Sequence, residues 1–554
     1  CRTSAYNNDN YVVSLAVNQK KIEQVDGTVY TWSYSYDEDE GTYSGDNSLP
    51  DIKLRTEFRP DGTRQEYDVF RVSNSFQEGD VVESRIYSST SGGTLLERTF
   101  STYDFTAYAP GFAPMPHVFN GAQIGVSIVK DSFQSLVLRS VLEQGSDIYT
   151  TDYQYTLNGS GFALNNPTTI QRSSNTSSDT RTSSINYTNQ LGAWVLFKPL
   201  TEVFNGEEIV RLSYAATGKV TEVRRFGALK RTFGWNTDGT MAWAKDALNR
   251  QTSFSSYKRG YPQTITQPDG TTYSFVVDSN GWFTSATNPR GYSTQLAYNS
   301  MGWLTSVDRP SGWSNTTVNY TYGLNGITIT ETTGNQRKVT THDGLNRAIL
   351  IRTDDLSGMA ASVYQATDYD ALGRVVFQSF PSASASPTTG TNFSYDGLGR
   401  QTEVSQNVAP FATTTTAYLS GNRVRVTDAM GNQTTTTRVG FAEPGDGYVI
   451  QIDQPLGVST AITHDALGNL LTATQGDTSL SFTQTWAYDN QYRLCAHTTP
   501  ETGTKRFEYD AADQLVAYAE GLTGSTCASL PSAKIQLGYD LLGRNTSTNF
   551  PGTT

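Results

Sequence analysis

One turn phrase recurs along the chain and limits what it can fold into. It reads Tyr369-Asp370-Ala371-Leu372-Gly373-Arg374, Tyr395-Asp396-Gly397-Leu398-Gly399-Arg400 and Tyr539-Asp540-Leu541-Leu542-Gly543-Arg544. Looser copies begin at His342, His464 (with Asp465 and Gly468) and Tyr509. Within Asp-x-x-Gly, the carboxylate can accept hydrogen bonds from the turn's own N–H groups, and the fourth residue sits where φ must be positive. Glycine takes that conformation freely and asparagine at modest cost. The slot holds Gly281, Gly302, Gly373, Gly399, Gly431, Gly468 and Gly543, or Asn249 and Asn346. A type I turn followed by a left-handed residue closes a β-hairpin. Tyr492 and Asp513 break the rule, so their two hairpins are expected to be distorted or longer.

A second turn type alternates with the first. Pro268-Asp269-Gly270, Pro289-Arg290-Gly291, Pro310-Ser311-Gly312 and Pro455-Leu456-Gly457 place proline at a fixed-φ corner with glycine two residues on. Between the turns lie short alternations such as Thr272-Tyr273-Ser274-Phe275-Val276-Val277, which read as half-buried strands. One period is therefore strand, Asp-x-x-Gly turn, strand, Pro-x-Gly turn. The period is 21 residues from Tyr488 to Tyr509, 26 from Tyr369 to Tyr395 and 30 from Tyr509 to Tyr539. The excess is rich in Ser, Thr and Gly, as at Ser382–Gly390, and reads as surface loops.

Composition agrees. Charged residues are 17% of the 554, against roughly 25% in an average soluble domain, while 32 Tyr and 48 Gly favour strands and tight turns. A net charge of −12 speaks against nucleic acid as a partner. No run of 18 apolar residues exists to span a membrane as a helix. The expected fold is all-β: repeated hairpins in one sheet, with an N-terminal β-rich module over residues 1–210 and a repeat region over 211–554. Strand-like runs at Tyr11–Val17, Gly79–Tyr87 and Ile124–Val129 support the first part, which reads as an end-closing or anchoring module.

Residues from about Tyr214 to Gly552 resemble the RHS/YD-repeat family, through the Tyr-Asp-x-x-Gly-Arg phrase and its period. The resemblance implies successive hairpins spiralling into a hollow β-shell. In bacterial members such a shell encloses a C-terminal toxin polypeptide, and in animal relatives a similar barrel stands at the cell surface. It also implies an extracellular or bacterial cell-surface location, with the enclosed polypeptide or a secretion-machinery component as partner. A glycan or cell-surface protein is the partner in the alternative reading, an adhesin, in which Trp282, Trp303 and Trp313 would stack on sugars. Cys1 followed by Arg2-Thr3-Ser4 resembles the start of a mature bacterial lipoprotein, which makes Cys1 a candidate lipid anchor. Cys495 and Cys527, 32 residues apart, are either a disulfide or two small core residues.

Candidate chemistry is sparse. His342 and His464 occupy the Tyr slot, which suggests packing. His497 follows Cys495 by two residues, so both would face one side of a strand, though a nucleophilic pair needs more than that. Asp37-Glu38-Asp39-Glu40 with Asp46 and Asp51 lacks the ligand spacing of a calcium loop. No zinc spacing, P-loop, nucleophile elbow or dinucleotide fingerprint is present, and the Asp-Pro-x-Gly core that releases the toxin in many family members has no match. No catalytic, cofactor or metal residue is assigned. The repeat turns are carried by Asp370, Gly373, Asp396, Gly399, Asp465, Gly468, Asp540 and Gly543, and the trailing Arg374, Arg400 and Arg544 are expected to pair with aspartates of neighbouring turns.

Overall fold

The computed structural model describes residues 17–23, 29–36, 52–70, 81–104, 136–155, 166–190, 195–323 and 326–552. Cys1, most of the run Tyr11–Val17, the acidic run from Asp37 to Asp51 and the stretch Ile124–Val129 lie outside them. The described residues form 41 strands, from Gln19–Glu23 to Asn545–Asn549, with one 3-10 turn at Pro455–Gly457. Each strand pairs antiparallel with the next in sequence, so the fold is a single all-β meander of hairpins. Pairing runs on through residue 210: Val195–Phe204 pairs with Glu207–Tyr214, which pairs with Val220–Arg225. The N-terminal strands and the repeat strands are parts of one sheet.

The sheet is one layer thick. Among the described residues, strands contact chiefly their sequence neighbours, and most positions on both faces stay at least partly exposed. Strands such as Met241–Asp246, Phe283–Thr287 and Gly326–Thr333 are half-buried at every position, where a strand packed on a core alternates buried and exposed.

Distant contacts show how this ribbon returns on itself. Asp61 meets Arg374, Asp147 meets Gly421 and Asn422, Asn205 meets Ala466, Phe226 meets Tyr492, and Arg250 meets Gln514. In all five pairs the second turn comes 23 strands after the first. Because 23 is odd, a turn on one edge of the sheet meets a turn on the opposite edge. That is the geometry of a spiral whose second coil sits on its first. The Tyr-Asp turns at Asp278, Asp343, Asp370, Asp396, Asp465, Asp489, Asp510 and Asp540 share one edge, and the proline turns at Pro60, Pro268, Pro289, Pro310 and Pro455 share the other. The turns Asp246–Arg250 and Asp428–Asn432 have the Asp-x-x-Gly/Asn chemistry yet lie on the proline edge, because this turn closes a hairpin on either side. With strands spaced about 4.8 Å apart, a coil of 23 strands has a perimeter of roughly 110 Å and a backbone diameter of roughly 35 Å.

Candidate functional site

The repeat turn is a closed unit. In Asp370–Arg374 the N–H groups of Leu372 and Arg374 both donate to Asp370 Oδ1, at 2.9 Å each, and Arg374 Nε donates to Oδ2 at 2.6 Å. Gly373 N–H bonds the Asp370 carbonyl at 3.0 Å with φ at +85°. The same pattern holds at Asp396–Arg400 and Asp540–Arg544, with Gly399 and Gly543 at positive φ. Asp465–Asn469 keeps it with Asn469 in place of arginine and Gly468 at positive φ. The N–H of Arg544 chiefly holds the Asp540 carboxyl below its ordinary range, against a smaller desolvation effect, and the Arg544 side chain adds to it.

The arginines correct one expectation. Arg374, Arg400 and Arg544 each pair first with the aspartate of their own turn, and of the three Arg374 also reaches an aspartate of another turn, Asp61 of the first coil, at 3.8 Å. The five-residue loop brings positions one and five together, so the nearest carboxylate is internal. The link between repeats is a guanidinium on an aromatic ring: Arg347 lies 4.6 Å from the Tyr369 ring centre, Arg374 4.8 Å from Tyr395 and Arg400 4.1 Å from Tyr418. The Tyr hydroxyl in turn donates to a carbonyl at the start of the preceding strand: Tyr369 to Ala348, Tyr395 to Val375, and Tyr539 to Leu515, at 2.7–3.0 Å. Each phrase is thereby stapled to the repeat before it.

Where the coils meet, the second coil's Tyr-Asp edge rests on the first coil's proline edge. The buried Asp147 accepts from Gly421 N–H at 2.8 Å and from Asn422 N–H at 3.0 Å. Ser174 Oγ donates to the Gly440 carbonyl at 2.7 Å, and Arg181 lies 4.2 Å from the ring centre of the buried Phe441. The most deeply buried aromatic rings, Tyr149 and Phe441, belong to this seam rather than to a central core. Burial, then the nearby charge of Asp147, raises the Tyr149 phenol above its ordinary pKa.

The two hairpins that break the glycine rule explain themselves here. Tyr492 and Asp513 adopt positive φ, 57° and 64°, and close their turns with the same hydrogen bonds as glycine does elsewhere. The turns are neither distorted nor longer, although the hairpin closed at Asp510–Gln514 carries an extra register shift at Thr504/Arg506. The side chain is present because it reaches the other coil: the Tyr492 ring sits 4.7 Å from that of Phe226, and Asp513 Oδ1 accepts from Lys230 Nζ at 2.6 Å. A double-mutant cycle checks this. Tyr492→Gly relieves about 1 kcal/mol of backbone strain but loses more in ring contact, so it is expected to destabilise by about 1 kcal/mol. In a Phe226→Ala background the same change is expected to be neutral or stabilising.

Residues 125–296 match the Teneurin YD-shell family model, and the match begins well ahead of the first full Tyr-Asp-x-x-Gly-Arg phrase. The chain is thus similar to the YD-shell family over about a third of its length, in agreement with the RHS/YD character of its repeats. Its function in this stretch is that of a structural shell. No curated protein matches it. Among solved structures it is similar to a chain of the Photorhabdus luminescens Tc holotoxin pore, at 11% identity and a TM-score of 0.49, covering 89% of this chain and 29% of that one. A second likeness is to TcdB2-TccC3 without its hypervariable C-terminal region, at 11% identity and a TM-score of 0.44, covering 95% and 30%. The chain thus spans under a third of the length of either.

The remaining candidates fall into place as parts of the wall. Cys495 and Cys527 form a disulfide, Cα to Cα 5.4 Å, which ties the loop before Ile535–Tyr539 to the strand Leu494–Thr499. Cys495 is therefore no nucleophile for His497, whose ring stacks on Trp486 at 4.8 Å and whose Nε2 meets Gln484. In the Tyr slot, His342 Nδ1 meets the Ile327 carbonyl, and His464 lies against the Tyr448 ring with its pKa lowered by burial. Trp282 packs on Tyr298, and Trp303 on Tyr320 and Tyr322. Among the described residues no group of three His, Cys, Asp or Glu could hold a metal, and no helix is long and apolar enough to cross a membrane. A cavity of about 330 Å³ between the coils is lined by Asp147, Tyr149, Arg400, Arg423 and Arg438, and Arg400 in it reaches Gln144 across the seam.

One face of the N-terminal strands carries a charge network that sequence reasoning missed, because its members meet only through strand register. Arg85 bonds Glu66, Asp68 and Glu83, and Arg98 bonds Glu83 and Glu143. The hydrogen bond from Arg98 is the main reason that the Glu83 carboxyl falls to about 2, with burial opposing and Arg85 assisting. A depressed carboxylate stabilises fully above its unfolded value of about 4.5 and loses that contribution as pH falls toward 2. Glu83→Gln is therefore expected to flatten the stability profile between pH 4.5 and 2, measured by chemical denaturation across that window.

Proposed function

We propose that this chain is the wall of a secreted or surface-exposed container that encloses and protects a polypeptide cargo. The observation that carries the reading is the closed 23-strand coil, whose strands keep most positions on both faces at least partly exposed. A lumen roughly 25 Å wide, allowing for side chains on a 35 Å backbone ring, is wide enough for an extended or partly folded chain. The continuous meander leaves only its first and last described strands with a free edge, the feature that otherwise recruits foreign strands. The single disulfide suits an oxidising compartment. The mechanism is physical exclusion, and it needs no catalytic residue in the wall.

A protease test decides it. An unstructured reporter segment fused after Thr554 is expected to resist digestion when the seam is intact, and to be cut quickly when Asp147→Ala loosens the coils. Equal cleavage rates in both proteins would sink the container reading. A glycan-array signal that disappears with Trp313→Ala would favour the adhesin instead, since Trp282 and Trp303 are occupied in packing while Trp313 is exposed.

A further inference from the structure

The two edges that form the seam also have stretches that no other described residues cover, and these differ in character. On the proline edge of the turns beyond the seam, large apolar side chains stand out one after another: Trp313, Met359, Phe411, Met430, Leu456 and Leu480. They occupy six of the loops from Arg309 to Leu480 on that edge, and their exposures run from 58% to 97%. Isolated exposed apolar residues are ordinary, but a row on one rim marks an interaction surface. At roughly 150–250 Å² per large side chain, the six expose on the order of 900 Å². That is close to the ~800 Å² per partner of a stable interface.

Inside the chain, the same edge shows what covers it. Leu96 of the first coil's proline edge faces Gly397 of the second coil's Tyr-Asp edge, so closely that a Cβ on Gly397 would come within 2.6 Å of Leu96 Cδ1. Phe226 likewise meets Tyr492. In the covered Tyr-Asp edge, Leu372, Leu398 and Leu467 fill the third slot of the turn and are half-buried. In the uncovered Tyr-Asp edge of the first coil, Met301 fills that slot in Asn299-Ser300-Met301-Gly302 and is 56% exposed. A single chain therefore presents both halves of the seam, one at each end of the spiral.

We propose that a second copy of this chain docks on the exposed proline edge through its own free Tyr-Asp edge, repeating between molecules the seam already present within one. The contact joins unlike surfaces, so a docked pair keeps one free edge at each end and further copies can add.

Sedimentation velocity over a range of concentrations tests this on the full 554-residue chain. The wild type is expected to populate dimers and longer stacks as concentration rises. Met359→Asp with Leu456→Asp on one edge, and Met301→Asp on the other, are each expected to leave only monomer. Near-native circular dichroism would show that both variants fold. Mixed in equal amounts, the two variants retain one good edge each and are expected to give dimers and nothing larger. A wild type that stays monomeric at every concentration overturns the proposal. So does assembly that survives Met301→Asp, which would mean like edges meeting.

Discussion

Asp147→Ala is expected to destabilise the protein by about 3 kcal/mol, more than most single changes in so thin a wall. Asp147 is buried, and its carboxylate is the acceptor for the backbone N–H groups of Gly421 and Asn422 in the next coil. Removing it strands two donors at the seam, each worth about 1–3 kcal/mol when buried without a partner. The donors can recover only by letting water in, which means parting the coils. Asp147→Asn keeps one acceptor oxygen and is expected to cost about half as much. Chemical denaturation measures both values, and hydrogen exchange at Gly421 and Asn422 locates the opening. If Asp147→Ala costs less than about 1 kcal/mol, the coils are held mainly elsewhere.

The sequence made the hairpins legible because everything that closes one is local. Asp370, Gly373 and Arg374 lie within five residues, and so do the hydrogen bonds that join them. Proline and glycine turns fixed the alternation for the same reason, and the Tyr slot carried a readable packing role into Tyr369, Tyr395 and Tyr539. The seam was not legible, since its pairs are more than 250 residues apart: Asp147 with Asn422, Asn205 with Ala466, Phe226 with Tyr492. No periodicity announces which turns will stack, because the coil length depends on how sheet twist and curvature accumulate over many strands. A signal was nonetheless present. Tyr492 and Asp513 stand where glycine is favoured, and a residue that accepts left-handed strain is held there by something its side chain does. Read as distorted turns, they gave the wrong local answer; they mark the points where the turn grips its neighbour.

Gly440 offers the converse case, a glycine needed for space rather than for φ. A Cβ built there would lie 2.5 Å from Tyr149 Cε1, 3.0 Å from Asn422 Nδ2 and 3.2 Å from Thr176 Oγ1. Tyr149 is fully buried and cannot swing aside, and Thr176 is tied to Ser174, whose hydroxyl bonds the Gly440 carbonyl. Gly440→Ala is thus expected to cost about 3 kcal/mol, at the upper end for overpacking a filled site. Because the crowding comes from the other coil, Tyr149→Val should make room for the new methyl group. Tyr149→Val alone opens a cavity and is expected to destabilise by about 3 kcal/mol. Combined, the two changes are expected to cost at least 1 kcal/mol less than the sum of the single effects, the coupling typical of residues in direct contact. Strict additivity would show that Gly440 is required by its own hairpin and not by the coil beneath it.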